Sequence, residues 1–310
     1  MRPDLEIGPP DDATATAVRT LAAAAAAADG VPPLSEQPLL NLRTDSADLT
    51  HAVVRVSDDV VGYAQIDRGT DPASAELVVH PDHRRRGLGT TLLRTAVRDA
   101  RLPARSGAPG RRSGPLHVWA HGYVPAAQAF AATLGWEPVR DLRILERALP
   151  PADSDPQLPD GLRLRTARPD DDAAWLDLNS RAFADHPEQG RTTQADLDAR
   201  RAEAWFREDG LRLLAPDDGG APLGFIWTKV DPQNPSEGEI YVVGVDPGAQ
   251  GCGLGRALTI AGLAQLAERG CTTAVLYVDG DNAAAVHTYA ALGFDTRATD
   301  VQLAPSTTRE

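Results

Sequence analysis

Hydrophobic and polar positions alternate in two stretches of the chain. They are "HAVVRVSDDVVGYAQI" from His51 to Ile66 and "GLRLLAPDDGGAPLGFIWTKV" from Gly210 to Val230. Each alternation breaks at an Asp-Asp turn, so each predicts a pair of antiparallel strands. A short apolar run follows each hairpin, then x-Pro, then a loop closing on Gly-Leu-Gly, then helical spacing of apolar residues. In the first half this unit reads "VVHPDHRRRGLGTTLLRTA" and in the second "VGVDPGAQGCGLGRALTIA". A further strand and helix come next, "PLHVWAHGYVPAAQAFAATLGWEPV" against "AVLYVDGDNAAAVHTYAALGFDTR". Their Leu-Gly-Trp and Leu-Gly-Phe endings fix the register between the halves. "LAAAAAAADG" is too weakly apolar for a membrane and reads as a helix in the region before the first hairpin.

A repeated order of elements points to a tandem duplication of a mixed α/β unit. The predicted fold class is α/β with a mixed sheet, in two domains. Residues 1–148 form the first domain, 149–161 a linker rich in proline and aspartate, and 162–310 the second. "LPARSGAPGRRSGPL" reads as a surface loop within the first half.

Charge is divided unevenly between the halves. The formal net charge is -13. Up to Pro150 there are 17 basic and 18 acidic residues; beyond it, 14 and 26. This balance argues against a nucleic-acid partner, which wants a basic face. An acidic half suits a cationic substrate, although a solvated acidic surface is the commoner explanation. Lys229 is the only lysine. The cysteines are Cys252 and Cys271, too few for a disulfide framework. No apolar run approaches membrane-span length, and the acidic start lacks the order of a signal peptide. The expectation is a cytoplasmic protein without a membrane partner. His51, His80, His83, His117, His121, His186 and His287 show no metal-ligand spacing, so no metal is expected.

The glycine loop suggests its guest. Successive N–H groups of the turn and of the first helical turn converge there, with the positive end of the helix dipole behind them. Glycines let that backbone approach an anion closely, so a phosphate or pyrophosphate fits. Gln250-Gly251-Cys252-Gly253-Leu254-Gly255 and Arg84-Arg85-Arg86-Gly87-Leu88-Gly89 resemble the Q/R-x-x-G-x-G/A pattern of the GCN5-related N-acetyltransferases (GNATs), and the likeness covers nearly the whole chain. It implies two tandem GNAT-fold domains, acetyl-CoA as co-substrate, and a pyrophosphate held by these loops. "FADHPEQG", "EAWFREDGL", "GFIWTKV" and "GEIYVVGVDP" resemble a tandem actinobacterial branch of that family. Its members acetylate the cysteinyl amine of cysteinyl-glucosaminyl-inositol, so a small-molecule amine is the implied partner of a monomeric enzyme.

The resemblance assigns site residues. Glu239, seven residues before Asp246, would be the general base and Tyr289 the general acid. The amine is an α-amino group with a reference pKa of about 7.7–8.0, so modest base assistance suffices. Alone, Glu239 reads as a carboxylate on a wet strand face and Tyr289 as a core aromatic. Acetyl-CoA would lie along Leu77, Val78 and Val79 with Arg85, Arg86, Gly87, Leu88, Gly89 and Thr90. In the second half it would lie along Val243, Gly244 and Val245, the loop Gln250, Gly251, Cys252, Gly253, and Leu254, Gly255 and Arg256. Asn282 with Ala283, Ala284, Ala285, Val286 and His287 completes that second set; Asn282 also reads as a helix cap. A bulge is expected in the strand before each loop, with Gly244 suited to it. Glu36, Glu188, Lys229, Glu239 and Tyr277 would contact the amine substrate, and Glu36 implies a site shared by both halves.

Aligning the halves puts Ala73 opposite Glu239, Val124 opposite Asn282 and Ala131 opposite Tyr289. The second copy is therefore expected to catalyse, and the first to bind acetyl-CoA or brace the structure. Acetylation of an antibiotic amine or a protein N-terminus is the nearest alternative. A non-catalytic acetyl-CoA sensor and a tandem scaffold with vestigial sites are the others.

Overall fold

The computed structural model describes residues 3–102, 115–150, 157–184, 186 and 189–306. Most of the "LPARSGAPGRRSGPL" loop, the middle of the linker, and Glu188 lie outside the described residues. The chain divides into two compact units, Met1–Leu142 with Ala298–Glu310, and Arg143–Arg297.

In the first unit the elements run β1 (Asp4–Ile7), α1 (Asp12–Asp29), α2 (Glu36–Asn41), β2 (Leu49–Val56), β3 (Asp59–Asp67), β4 (Ser74–Val79), α3 (Leu88–Asp99), β5 (His117–Ala120) and α4 (Pro125–Leu134). The strand β6 (Trp136–Ala148) follows and carries the chain out of this unit. Strands β1 to β4 pair antiparallel in sequence order, and β5 joins β4 parallel. Asp11 caps α1 by accepting from Thr14 N at 2.8 Å, and Gly30 ends it in the left-handed conformation. Helix α1 packs its Val18, Leu21 and Ala25 on Val53, Tyr63 and Val78. On the opposite face, Leu92, Leu93 and Ala96 of α3 cover Ala52, Val54 and Ala64. The result is a helix–sheet–helix sandwich, as expected where both faces of a strand pair are apolar.

The second unit repeats the plan with β7 (Leu162–Thr166), α5 (Asp172–Ala182), α6 (Gln194–Arg201), β8 (Leu211–Pro216), β9 (Gly224–Val230), β10 (Glu237–Val245), α7 (Leu254–Glu268), β11 (Thr273–Asp279) and α8 (Ala283–Ala291). Strands β7 to β10 are antiparallel and β11 is parallel to β10. Helix α7 buries Leu258 and Leu266 against Ile226 and Ile240. Burying each such side chain contributes roughly 1.5–3 kcal/mol. The other face is aromatic, with Trp175, Trp205, Phe225 and Trp227 packed over Leu213 and Val242.

These units do not follow the chain boundary read from the linker. Arg143–Ala148 pack in the second unit, where Leu149 N, inside the expected linker, donates to Thr272 O at 2.8 Å. The last strand, β12 (Asp295–Pro305), instead completes the first unit from Ala298 onward. There it pairs antiparallel with β5, Val301 opposite Ala120 and Leu303 opposite Val118. An alternating strand looks the same in sequence whichever sheet it joins, so patterning alone assigns it to its own half.

Candidate active site

In both units the parallel pair opens partway along. Strands β4 and β5 are paired at Ser74–His117 and Ala75–Val118 only. Strands β10 and β11 are paired from Glu237–Thr273 to Glu239–Val275 only. Beyond those points the backbone of Leu77–Val79 and of Val243–Val245 runs on without its parallel neighbour. An extended amide chain can add to such an opening as a further strand.

The expected bulges sit elsewhere. In β10 the register with β9 shifts between Ile240 and Val242, so Tyr241 is the extra residue, while Gly244 pairs regularly with Phe225. Gly244 is required by packing: a Cβ there would stand 2.3 Å from a Phe225 ring carbon. Strand β4 pairs with β3 in unbroken register, so Leu77–Val79 carry no bulge. The first unit's shift lies between β2 and β3, at Val54 and Arg55.

The two loops share a backbone. Gly87 and Gly253 have φ of 82° and 78° and stand immediately before α3 and α7. Two residues earlier, Gly251 has φ 81°, and its counterpart Arg85 adopts the same left-handed conformation at φ 61°. A non-glycine residue there is strained by about 1–3 kcal/mol. The side chains of Arg84 and Gln250 reach back in parallel fashion, to Val79 O at 3.2 Å and Val245 O at 3.4 Å. A Cβ on Gly251 or Gly253 would meet no atom within 4 Å, so the hollow of this cradle is open. Its N–H groups and helix terminus fit the pyrophosphate of a bound acetyl-CoA.

Leu77–Val79, Arg85, Gly87, Leu88, Gly89 and Thr90 line one cleft of about 530 Å³, whose far wall includes Val118–His121, Ala131 and Leu303. Arg84 is committed to Asp29 through two 2.7 Å hydrogen bonds. Arg86 does not line the cleft. In the second unit, Leu254, Gly255 and Arg256 form the first turn of α7 after the loop. Cys252 is exposed, its Sγ 3.8 Å from Gln250 O. Asn282 caps α8, accepting from Ala285 N at 3.1 Å, and Ala283 to His287 are its first turns. Asp246 accepts from Gly248 N and pairs with Arg181, whose hydrogen bond holds its carboxyl below the usual range.

Glu239 is the last residue of β10 paired with β11, so its carboxylate stands where the two strands part. It lies directly opposite Lys229 on β9, with Lys229 Nζ 3.8 Å from Glu239 Oε2. Tyr289 on α8 packs edge-on to Phe294, and burial pushes its phenol up to about 12. It therefore holds its proton at neutral pH. Tyr277 on β11 is 48% exposed, and Glu36 begins α2 in the first unit. Ala73, expected opposite Glu239, is buried beside β4, and the extra residue Tyr241 in β10 moves the counterpart of Glu239 by one position to Ser74.

Sequence reasoning missed two groups. The Lys229 ammonium lies 4.9 Å from the Trp205 ring centre and 5.0 Å from that of Tyr241. The second group is a buried ionic set in the first unit. His121 Nδ1 is 2.8 Å from Asp300, while its Nε2 is 3.1 Å from Glu76 without hydrogen-bond alignment. Glu76 also accepts from Ser35 N and Oγ. Burial alone would lower the His121 pKa, but Glu76 and Asp300 outweigh it and raise it to about 10. Its only signal was a histidine ending a strand.

The splayed parallel strands and the helix-capping loops define an acetyltransferase of the GNAT class. Residues 173–294 match the Acetyltransferase (GNAT) family and residues 47–138 the Acetyltransferase (GNAT) domain. A tandem GNAT protein from the clavulanic acid biosynthesis pathway superposes with a TM-score of 0.70 at 24% identity, over 99% of this chain and 100% of that one. A GCN5-related N-acetyltransferase from Sphaerobacter thermophilus gives 0.67 at 23%, over 96% and 94%. Mycothiol acetyltransferases are far nearer in sequence. The Sanguibacter keddieii protein is 50% identical across 97% of this chain and 96% of its own length. That of Nocardia farcinica is 48% identical across 95% of each. The chain belongs to the mycothiol acetyltransferase family. Among the described residues no helix is long and apolar enough to cross a membrane.

Proposed function

We propose that the second unit transfers the acetyl group of acetyl-CoA to the cysteinyl amine of cysteinyl-glucosaminyl-inositol, the acetylation that makes mycothiol. The observation that carries this reading is the position of Glu239 at the fork between β10 and β11. A chain laid in the fork with its pyrophosphate on the loop ends near that carboxylate. Nearly full-length likeness to mycothiol acetyltransferases supports the acceptor.

Each residue then has a task. Val243–Val245 offer backbone partners to the pantetheine amides, and the loop from Gln250 with the first turn of α7 holds the pyrophosphate. Acetyl-CoA supplies an activated thioester. Glu239 takes a proton from the substrate ammonium, directly or through one water, leaving a neutral amine to attack. Tyr289 keeps its proton until it protonates the departing thiolate. Lys229 and Tyr277, with Glu188, recognise the hydroxyl-rich acceptor. The first unit lacks the base and the acid, with Ser74 and Ala131 at those places. It binds acetyl-CoA in its cleft without transferring from it.

The test incubates the purified protein with acetyl-CoA and a panel of amines, following free CoA and the acetylated product by mass spectrometry. Cysteinyl-glucosaminyl-inositol is expected to be acetylated in preference to an aminoglycoside and to an N-terminal peptide. Glu239→Gln is expected to lower kcat by about 10²–10⁴-fold with acetyl-CoA affinity retained. Raising the pH should restore part of the loss. An unchanged rate at neutral pH would remove Glu239 from the mechanism.

A further inference from the structure

Lys229 is the only lysine among 31 basic residues, and it stands directly across from Glu239. A lysine in that place is ordinarily a poor partner for a base, because its four-carbon stem is flexible and water competes for its ammonium. Here the ammonium lies near two aromatic faces. Trp205 is buried, its ring centre 4.9 Å from Nζ; Tyr241 lies 5.0 Å away, and the two rings are 5.2 Å apart. Ring quadrupoles attract a cation at such distances.

The bulge in β10 creates this arrangement. In a regular strand Tyr241 and Val242 would face opposite sides of the sheet. Because Tyr241 is the extra residue, both belong to the aromatic cluster on the α5 and α6 side. The Tyr241 hydroxyl in turn accepts from Arg200 Nε on α6 at 2.8 Å, which anchors the ring. The neighbouring charged groups on the strand, Glu237 and its partner Arg297, are paired with each other. Arg269 on the α7 side is paired with Asp209.

Resting on the reading of Glu239 as the base, we propose that Trp205 and Tyr241 are positioning residues that seat the Lys229 ammonium beside Glu239. Seated there, the ammonium keeps the carboxylate ionised and confines it to one side of the fork. The register shift in β10, just beyond the last residue paired with β11, therefore builds the support of the base. Neither aromatic residue touches the reacting atoms in this scheme; both act through Lys229.

The single lysine makes the proposal directly observable. In protein labelled at lysine, one side-chain resonance reports Lys229 alone. The ε-methylene protons are expected upfield, displaced by the two ring currents. In Tyr241→Leu and in Trp205→Leu that displacement should fall, while Tyr241→Phe, which keeps the ring, should hold most of it. The second readout is the pH profile of kcat/KM. Losing the nearby cation raises the base's pKa, so the acidic limb should move up by about half to one pH unit in both leucine variants. That shift lowers kcat/KM below the limb by roughly three- to tenfold, and Tyr241→Phe should restore the limb. A purely structural role would lower kcat or stability and leave the limb in place. The proposal is overturned if the lysine signal shows no ring displacement in the parent protein. It is equally overturned if the leucine variants, folded and binding acetyl-CoA normally, keep the parent limb. Glu239→Gln should abolish the parent limb, leaving only a rise near the amine's own pKa of about 7.7–8.0. If the parent limb persists there, the assignment of the base has failed, and the lysine resonance, which needs no turnover, keeps that failure apart from failure of the seat.

Discussion

Two copies of one strand–loop–helix device differ in what surrounds the same backbone. Gly87 and Gly253 hold matching left-handed turns, and Arg85 even takes the conformation of Gly251 at a cost in strain. Around the second loop there is open space, a capped helix and a carboxylate at the fork. Around the first there is a cleft with cationic side chains, and the strand register puts Ser74 where the carboxylate would be. Backbone N–H groups make a phosphate site; side chains at the fork make it a transferase. The pair separates these two requirements within one molecule.

The largest expected effect comes from breaking the second cradle. In Gly253→Val the added Cβ meets no protein atom within 4 Å, so the damage falls on φ and on the space a phosphate would fill. Displacing the thioester by even an ångström costs on the order of 10²-fold, and kcat/KM is expected to fall at least that far. Gly87→Val introduces the same strain in the first loop and should cost much less turnover. Circular dichroism must first show both variants folded. Equal losses in the two would end the division of labour between the units.

Much of this arrangement was legible beforehand, for local reasons. Hairpin alternation, x-Pro and Gly-Leu-Gly each act within a few residues, so the sandwich, the loops and the cap at Asn282 follow from short windows. What stayed hidden depends on distant partners. The exchange of Ala298–Glu310 into the first unit leaves no mark on the strand's own pattern. Gly244 was read as a bulge residue because glycine tolerates one, yet its neighbour Phe225 is what forbids a side chain. The bulge at Tyr241 has no glycine to announce it. Likewise the aromatic seat of Lys229 joins residues 205, 229 and 241, and the ionic set joins residues 76, 121 and 300.

A smaller effect should separate charge from strain in the first loop. Arg85→Ala with Arg86→Ala removes the Arg85 guanidinium that lines the cleft, able to make charge-assisted bonds worth about 1.5–3 kcal/mol with a phosphate, and the neighbouring charge of Arg86. Acetyl-CoA affinity of the first unit should fall at least about tenfold, and its salt dependence should flatten. Arg85→Gly removes the same charge while relieving the positive φ, so it should fold more stably yet bind as weakly as Arg85→Ala. Calorimetry resolves the sites. Unaltered affinity in the double variant would return these arginines to the solvent.

The smallest expected effect is a pH response confined to the first unit. His121 is held as an imidazolium between Glu76 and Asp300, with its pKa raised from 6.5 to about 10. A group whose folded pKa is raised contributes stability that is complete below its unfolded pKa and disappears as pH rises through the folded value. The window therefore runs upward from about pH 6.5 to about pH 10. Lysine adds little to that window, because the chain has only one. Melting temperature should accordingly fall by several degrees across that range. Hydrogen exchange should show protection lost first in β5 and in the residues of β12 from Ala298, since Asp300 ties that strand to His121. Protection in the second unit should change less. His121→Gln should be less stable at neutral pH, with two carboxylates left without their cation, and flatter in its alkaline response. Parallel decline of parent and variant, with exchange spread evenly over both units, would mean that this imidazolium does not hold the exchanged strand in place.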